Sequence, residues 1–230
     1  MPMSSLGSTV SIDGPDGVFD AAVSQPESPN GNAVVVVQEI FGVNKKIRAY
    51  CDLFAKAGYL AIAPDLFWRH ERNLQLTYSE EDMKRALSLA ASFDEAKGCA
   101  DIKAAIGRLR SEGARNVAVA GFCLGGKLAA LAAATGDANA GVGFYGVGLE
   151  KAERELKTAR NPIQLHIGEK DNYIPAAAVA HIKTLLGPRP DAEVHSYAEA
   201  GHGFFRPDFK DAASPVAWER TLGFLKRHLG

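Results

Sequence analysis

The sequence predicts an α/β fold, a mostly parallel sheet of about eight strands with helices on both faces. Short apolar or β-rich runs alternate with stretches of helical periodicity along the chain. A glycine-rich tight turn, Gly121-Phe122-Cys123-Leu124-Gly125-Gly126, joins the apolar run Val117–Ala120 directly to a helical segment. The length, 230 residues, suits one sheet and one domain spanning residues 1–230.

The elements follow in order. Ser8–Ile12 and Val18–Ala22, joined through Asp13-Gly14-Pro15-Asp16-Gly17, form an N-terminal hairpin. Ala33–Val37 is the first central strand. Asn44 then caps a helix that turns Ile47, Cys51 and Phe54 inward and stops at Gly58. After the strand Leu60–Ala63, Ser79 with Asp82 makes a capping box for a second helix. A third helix runs from about Asp94 to Arg110 with Ile102, Ile106 and Leu109 on one stripe. Strands Val117–Ala120, Gly141–Tyr145, Ile163–Ile167 and Glu193–Tyr197 complete the sheet. Ala176–Leu186 is helical, and Ser214-Pro215 opens a terminal helix carrying Trp218, Leu222 and Leu225.

Composition narrows the function. The formal charge is −1, with no Lys/Arg cluster, which argues against a nucleic-acid surface. No apolar run approaches a membrane span, and the start, Met-Pro-Met-Ser-Ser-Leu-Gly-Ser, lacks the pattern of a secretory leader. Three cysteines without C-x-x-C spacing indicate neither a disulfide framework nor a zinc site, so no metal is expected. A reducing cytoplasm fits them. The expected partner is a small molecule rather than nucleic acid or a membrane, and the expected assembly a monomer or weak homodimer.

The chemistry starts at Cys123. G-x-Nuc-x-G between a strand and a helix is a nucleophile elbow, here with cysteine in the nucleophile's place. The turn holds its central residue in a strained backbone conformation, and glycines let the crossing chains pass. It also aims a helix N-terminus at the side chain, which favours a thiolate and later an oxyanion. Chemistry in open α/β sheets collects beyond the carboxyl ends of strands. There Asp171 follows Ile163–Ile167, and His202 sits between glycines after Glu193–Tyr197. The order nucleophile, acid, histidine is that of α/β-hydrolase triads. His202 takes and returns the proton, and Asp171 fixes its tautomer. Asp65, which precedes the nucleophile, is the rival acid. Gln38-Glu39-Ile40-Phe41 follows the first central strand, where such enzymes place a second oxyanion donor. The two donors are then the backbones of Ile40 and Leu124. Glu39, a carboxylate beside a thiol, raises both groups' affinity for protons, so its use is to hold or accept the Cys123 proton.

Together Gln38–Asn44, Gly121–Gly126, Gly143-Phe144-Tyr145-Gly146-Val147-Gly148-Leu149-Glu150 and Ala200-Gly201-His202-Gly203-Phe204 resemble the dienelactone hydrolase (carboxymethylenebutenolidase) family. The resemblance covers nearly the whole chain. It implies a Cys123–His202–Asp171 triad, no cofactor, a nucleophile gated by substrate with Glu39 taking part, and an enol-lactone substrate whose carboxylate is held by arginines. One arginine falls on Arg206. Where the family carries an arginine, a tyrosine and a tryptophan on its pocket helix, this chain has Met83, Leu87 and Ala90. Arg85, two residues from Met83, turns to the opposite side of a helix. Arg69 and Arg72 are the remaining candidate cations.

Phe41, Tyr145, Phe204 and Trp68 are the candidate pocket aromatics, while Cys51 and Cys99 read as core and Lys127 as solvent-facing. Cysteine itself selects substrates. Thiol pKa is about 8.5, so a thiolate leaves a tetrahedral intermediate more readily than an alkoxide does. Enol, aryl and thioester leaving groups compete with it. The leading reading is therefore a cysteine hydrolase of activated esters of the dienelactone type. The alternatives are a broader carboxylesterase or thioesterase, and a thiol redox or binding protein.

Overall fold

Residues 8–230 are described by the computed structural model; the reading of the first seven residues as no leader lies outside them. The hairpin strands β1 (Ser8–Gly14) and β2 (Gly17–Ser24) lead into β3 (Ala33–Val37), α1 (Lys45–Lys56) and β4 (Leu60–Pro64). Helices α2 (Glu80–Ala91) and α3 (Glu95–Ser111) precede β5 (Val117–Phe122), α4 (Leu124–Ala134) and β6 (Ala140–Phe144). A short 3₁₀ turn (Leu149–Lys151) and α5 (Glu153–Lys157) lead to β7 (Ile163–Gly168), α6 (Ala176–Leu186), β8 (Ala192–Tyr197) and α7 (Ala213–Leu229). The strands form one eight-stranded sheet in the order β1-β2-β4-β3-β5-β6-β7-β8. The hairpin pairs antiparallel and joins β4 antiparallel, and β4 through β8 are parallel.

Strand alternation builds two cores. Val35, Val37, Val117 and Val119 face α3, α4 and α6, where Ile102, Ile106, Leu109, Leu128 and Ile182 meet them. Val34, Val36, Ala120, Phe122 and Phe144 face α1 and α7. With helices on both faces, successive residues of a central strand are all buried, which is why β3, β5 and β6 read as continuous apolar runs.

Caps explain the helix starts. Asn44 Oδ1 accepts from the amides of Lys46 and Ile47, and Ser79 caps α2 by accepting from Asp82 N–H. The capping box is only half formed, because the Asp82 carboxylate binds the Thr77 amide at 2.7 Å instead of returning to Ser79. The α7 stripe is also rotated from the expected one. Ala217, Thr221, Phe224 and Leu225 are buried, whereas Trp218 and Leu222 are half-buried at its edge. Tyr145 leaves the strand that was expected to contain it, at φ 39°, as the chain turns back over the sheet. Among the described residues, no helix is long and apolar enough to cross a membrane.

Candidate active site

The carboxyl ends of β3, β5, β6, β7 and β8 meet at one rim of the sheet, and Glu39, Cys123, Asp171 and His202 lie just beyond them. Between β5 and α4 the chain turns through Cys123 at φ 54°, ψ −115°. A non-glycine residue at positive φ is strained. Crossing backbones hold it there: a Cβ at Gly121 would fall on the Gly125 carbonyl, and one at Gly125 on the Val37 carbonyl. Cys123 N–H donates to Phe144 O at 3.0 Å and Gly125 N–H to Gln38 O at 3.1 Å, so the elbow is stitched to both neighbouring strand ends.

The acid and histidine loops are joined to each other. Glu169 N–H donates to Tyr197 O and Lys170 N–H to Ala200 O, both at 2.9 Å. This brings Asp171 Oδ2 within 2.8 Å of His202 Nδ1. The Asp171 side chain is buried, and its second oxygen accepts from Tyr173 N–H at 2.8 Å rather than capping α6. His202 lies edge-on between the rings of Tyr145 and Tyr173. Asp65 has a different task. Its carboxylate braces a loop by accepting from Phe67 N–H and Asn73 N–H, and burial raises its pKa.

Glu39 is buried at 4% exposure, and its carboxylate is fully engaged. Lys46 Nζ lies 3.0 Å from one oxygen, Tyr78 Oη donates to the other at 2.8 Å, and Tyr145 Oη is 3.5 Å away. Lys46 stands in the first turn of α1, and its ammonium lies 5.4 Å from the centre of the Tyr78 ring. Neither residue was singled out in the sequence. Lys46 reads there as one of two adjacent surface lysines, and Tyr78 as a loop aromatic.

Electrostatics around Cys123 oppose ionisation. Burial pushes its thiol up to about 12, and the Glu39 charge adds to this. The Leu124 backbone N–H and the Lys46 ammonium pull the other way, and Asp171 again raises it. The sequence reading has the helix N-terminus favouring a thiolate. In the resting protein, desolvation and a buried carboxylate outweigh that one N–H, and the group is a thiol.

Cys123, His202, Glu39, Ile40, Leu124, Phe41 and Arg206 all border one cavity of about 860 Å³. Four expectations change there. Tyr145 packs on Phe122, Phe144 and Phe204, Phe204 also packs on Tyr197, and neither ring lines the cavity. Trp68 stacks on Phe19 and donates to Asp101, away from the site. Lys127 is not free in solvent, since its ammonium pairs with Glu95 at 2.6 Å and its side chain is mostly covered. Arg69 pairs with Asp101 and Asp16 and Arg72 donates to Val18 O, so neither candidate cation borders the cavity; Arg85 pairs with Glu71 and stays out of the lining, as its helical position predicts. Cys51 is buried as expected, and Cys99 is half-buried against the core.

Residues 19–229 match the sequence profile of the dienelactone hydrolase family. The chain is similar to a carboxymethylenebutenolidase of Pseudomonas putida, 37% identical over 223 residues that span 94% of each protein. It is also similar to carboxymethylenebutenolidase 1 of Cupriavidus pinatubonensis, 36% identical over 91% of this chain and 92% of the relative. The crystal structure of a provisionally named dienelactone hydrolase from Klebsiella pneumoniae superposes with a TM-score of 0.82 at 28% identity, covering 96% of this chain and 98% of that one. The sheet order and the elbow are those of the α/β-hydrolase fold.

Proposed function

The chain belongs to the dienelactone hydrolase family and hydrolyses ester or lactone bonds, and we propose that it does so through Cys123, His202 and Asp171 by way of an acyl-enzyme. Its substrates on this reading are activated esters, the enol-lactone type foremost. The observation that carries it is the Asp171–His202 pair at 2.8 Å, facing the same cavity as a cysteine held at φ 54° on a strand-to-helix elbow.

The steps follow from the chemistry of those groups. With the thiol proton removed, Cys123 Sγ attacks the acyl carbon and a C–S bond forms. The carbonyl oxygen becomes an oxyanion held by the Leu124 and Ile40 amides. The C–O bond to the leaving group breaks, and that oxygen takes up the proton that Cys123 gave up, delivered by His202. Water, deprotonated by His202, then attacks the thioester, the C–S bond breaks, and His202 passes the water's proton to the departing sulfur, so the thiol reforms. Asp171 keeps the His202 ring oriented and stabilises its cationic form.

Glu39 supplies the gate. Held by Lys46 and Tyr78, it keeps the thiol protonated in the resting protein. Once those contacts loosen around a bound ester, it is free to take the Cys123 proton. The free thiols Cys51, Cys99 and Cys123 support a reducing compartment, the cytoplasm. The test is turnover of dienelactone and of p-nitrophenyl acetate by the wild type and Cys123→Ala. Consumption of either substrate by the wild type, abolished in the variant, is the expected result; undiminished activity in the variant sinks the proposal.

A further inference from the structure

We infer that the acyl part of the natural substrate carries an extended apolar arm, and that Met83, Leu87 and Ala90 of α2 form its subsite. This rests on the ester-hydrolase reading above and names the substrate class for that site.

The apolar residues of α2 cover more of the helix than packing requires. Ala86 is its one fully buried residue, and with Leu89 it sits on a small satellite cluster of Phe41, Phe67, Leu74 and Leu76. A second stripe, Met83, Leu87 and Ala90, repeats at three- and four-residue spacing on the adjoining face and lines the cavity. Leu87 is 51% exposed, with no protein side chain completing its burial. On a helix whose other exposed positions are Glu80, Glu81, Lys84, Arg85, Ser88 and Ala91, an apolar stripe open to a cavity is a surface shaped for a ligand.

Position fixes which part of the ligand it meets. Ile40, Leu124 and Met83 all pack against the same satellite cluster, so the stripe is continuous with the residues whose amides face the oxyanion. The acyl group stays at that place through both half-reactions, whereas the leaving group departs. Size agrees. Roughly 30 Å³ is one water's share of liquid volume. A cavity of about 860 Å³ therefore holds many more non-hydrogen atoms than a small lactone contains. Charge agrees too, since Glu39, Lys46, Arg206 and Asp208 belong to other parts of the chain and α2 contributes no charged group to the lining.

The test is a chain-length series of p-nitrophenyl esters, acetate to octanoate, on the wild type, Ala90→Trp, Leu87→Glu and the control Arg85→Ala. Burying one CH₂ is worth about 0.8 kcal/mol, roughly fourfold. Wild-type kcat/KM is expected to rise two- to fourfold per methylene, by about that principle. The ratio of octanoate to acetate is expected to collapse in Ala90→Trp and Leu87→Glu and to persist in Arg85→Ala. A second measurement needs no turnover: octanoate should protect Cys123 from iodoacetamide at concentrations where acetate does not. A flat wild-type series, a rising series that Ala90→Trp and Leu87→Glu both keep, or octanoate protecting no better than acetate overturns the inference. Acetate turnover that depends on Cys123 would still stand in each of those cases. If no ester is turned over, the ester-hydrolase reading fails while the protection measurement still decides the subsite.

Discussion

Cys123 and Glu39 share one low-polarity space, and their charges compete. With burial first and Glu39 second in raising the thiol to about 12, the resting protein has almost no thiolate at neutral pH. Iodoacetamide should label Cys123 slowly at pH 7, the rate climbing with pH toward about 12. Glu39→Gln removes a raising charge, so labelling near pH 8 should accelerate by about tenfold or more, one pKa unit being a tenfold change. The same variant should lose ester turnover, because the group that accepts the thiol proton is gone. Lys46→Met does the reverse to the thiol: it removes a lowering charge, so labelling should slow. Asp171→Asn should lower kcat by about a hundredfold or more, since a mis-set His202 tautomer removes general acid–base catalysis. The rim positions of Cys123, Asp171, His202 and Glu39 were legible in the sequence because each follows within a few residues of a strand that the sequence located. Lys46 and Tyr78 were not. They reach Glu39 only because α1 and the loop before α2 fold over the same strand end, and no local pattern encodes that meeting.

At the scale of elements, the helices differ in how firmly they are held. Helix α4 is buried along nearly its whole length between β5, β6 and α3. Helix α2 buries only Ala86 and rests on a satellite cluster. Local opening costs least where few apolar contacts must break. Amide hydrogen exchange in α2 should therefore outpace that in the centre of α4 by at least about tenfold, roughly 1.4 kcal/mol of protection. Equal protection would remove the picture of α2 as a lightly held wall of the cavity. The sequence located both helices, since Ser79 and the elbow mark their starts. It located less well the face that α7 buries, where aromatic Trp218 drew attention from the smaller Ala217 and Thr221. Ala217 lies inside because a helix packed close on a sheet needs small residues at its centre.

At the scale of the whole molecule, two cores hold one sheet whose rim carries the site, and His166 ties the β7 end of that sheet together. It is fully buried, with Nδ1 2.8 Å from Tyr197 Oη and its Nε2 between Gln164 Oε1 and Thr221 Oγ1. Desolvation holds its pKa well below 6.5. The unfolded chain then binds a proton that the folded one refuses, so stability is present above about pH 6.5 and is lost as pH falls below it. The midpoint of thermal unfolding should drop between pH 7 and 5.5, and His166→Asn should flatten that slope. The sequence anticipated the sheet and its helices because strands covered on both faces leave continuous apolar runs. It could not assign the pocket aromatics, since Tyr145 and Phe204 look alike in sequence whether they line a cavity or pack in a core.

The central claim is that Cys123 carries the acyl group. Intact-mass spectrometry after rapid acid quench of the protein with p-nitrophenyl acetate tests it most directly. The expected result is a wild-type protein heavier by one acetyl group and a Cys123→Ala protein of unchanged mass. Turnover with no such adduct, or an adduct that persists in Cys123→Ala, would contradict it.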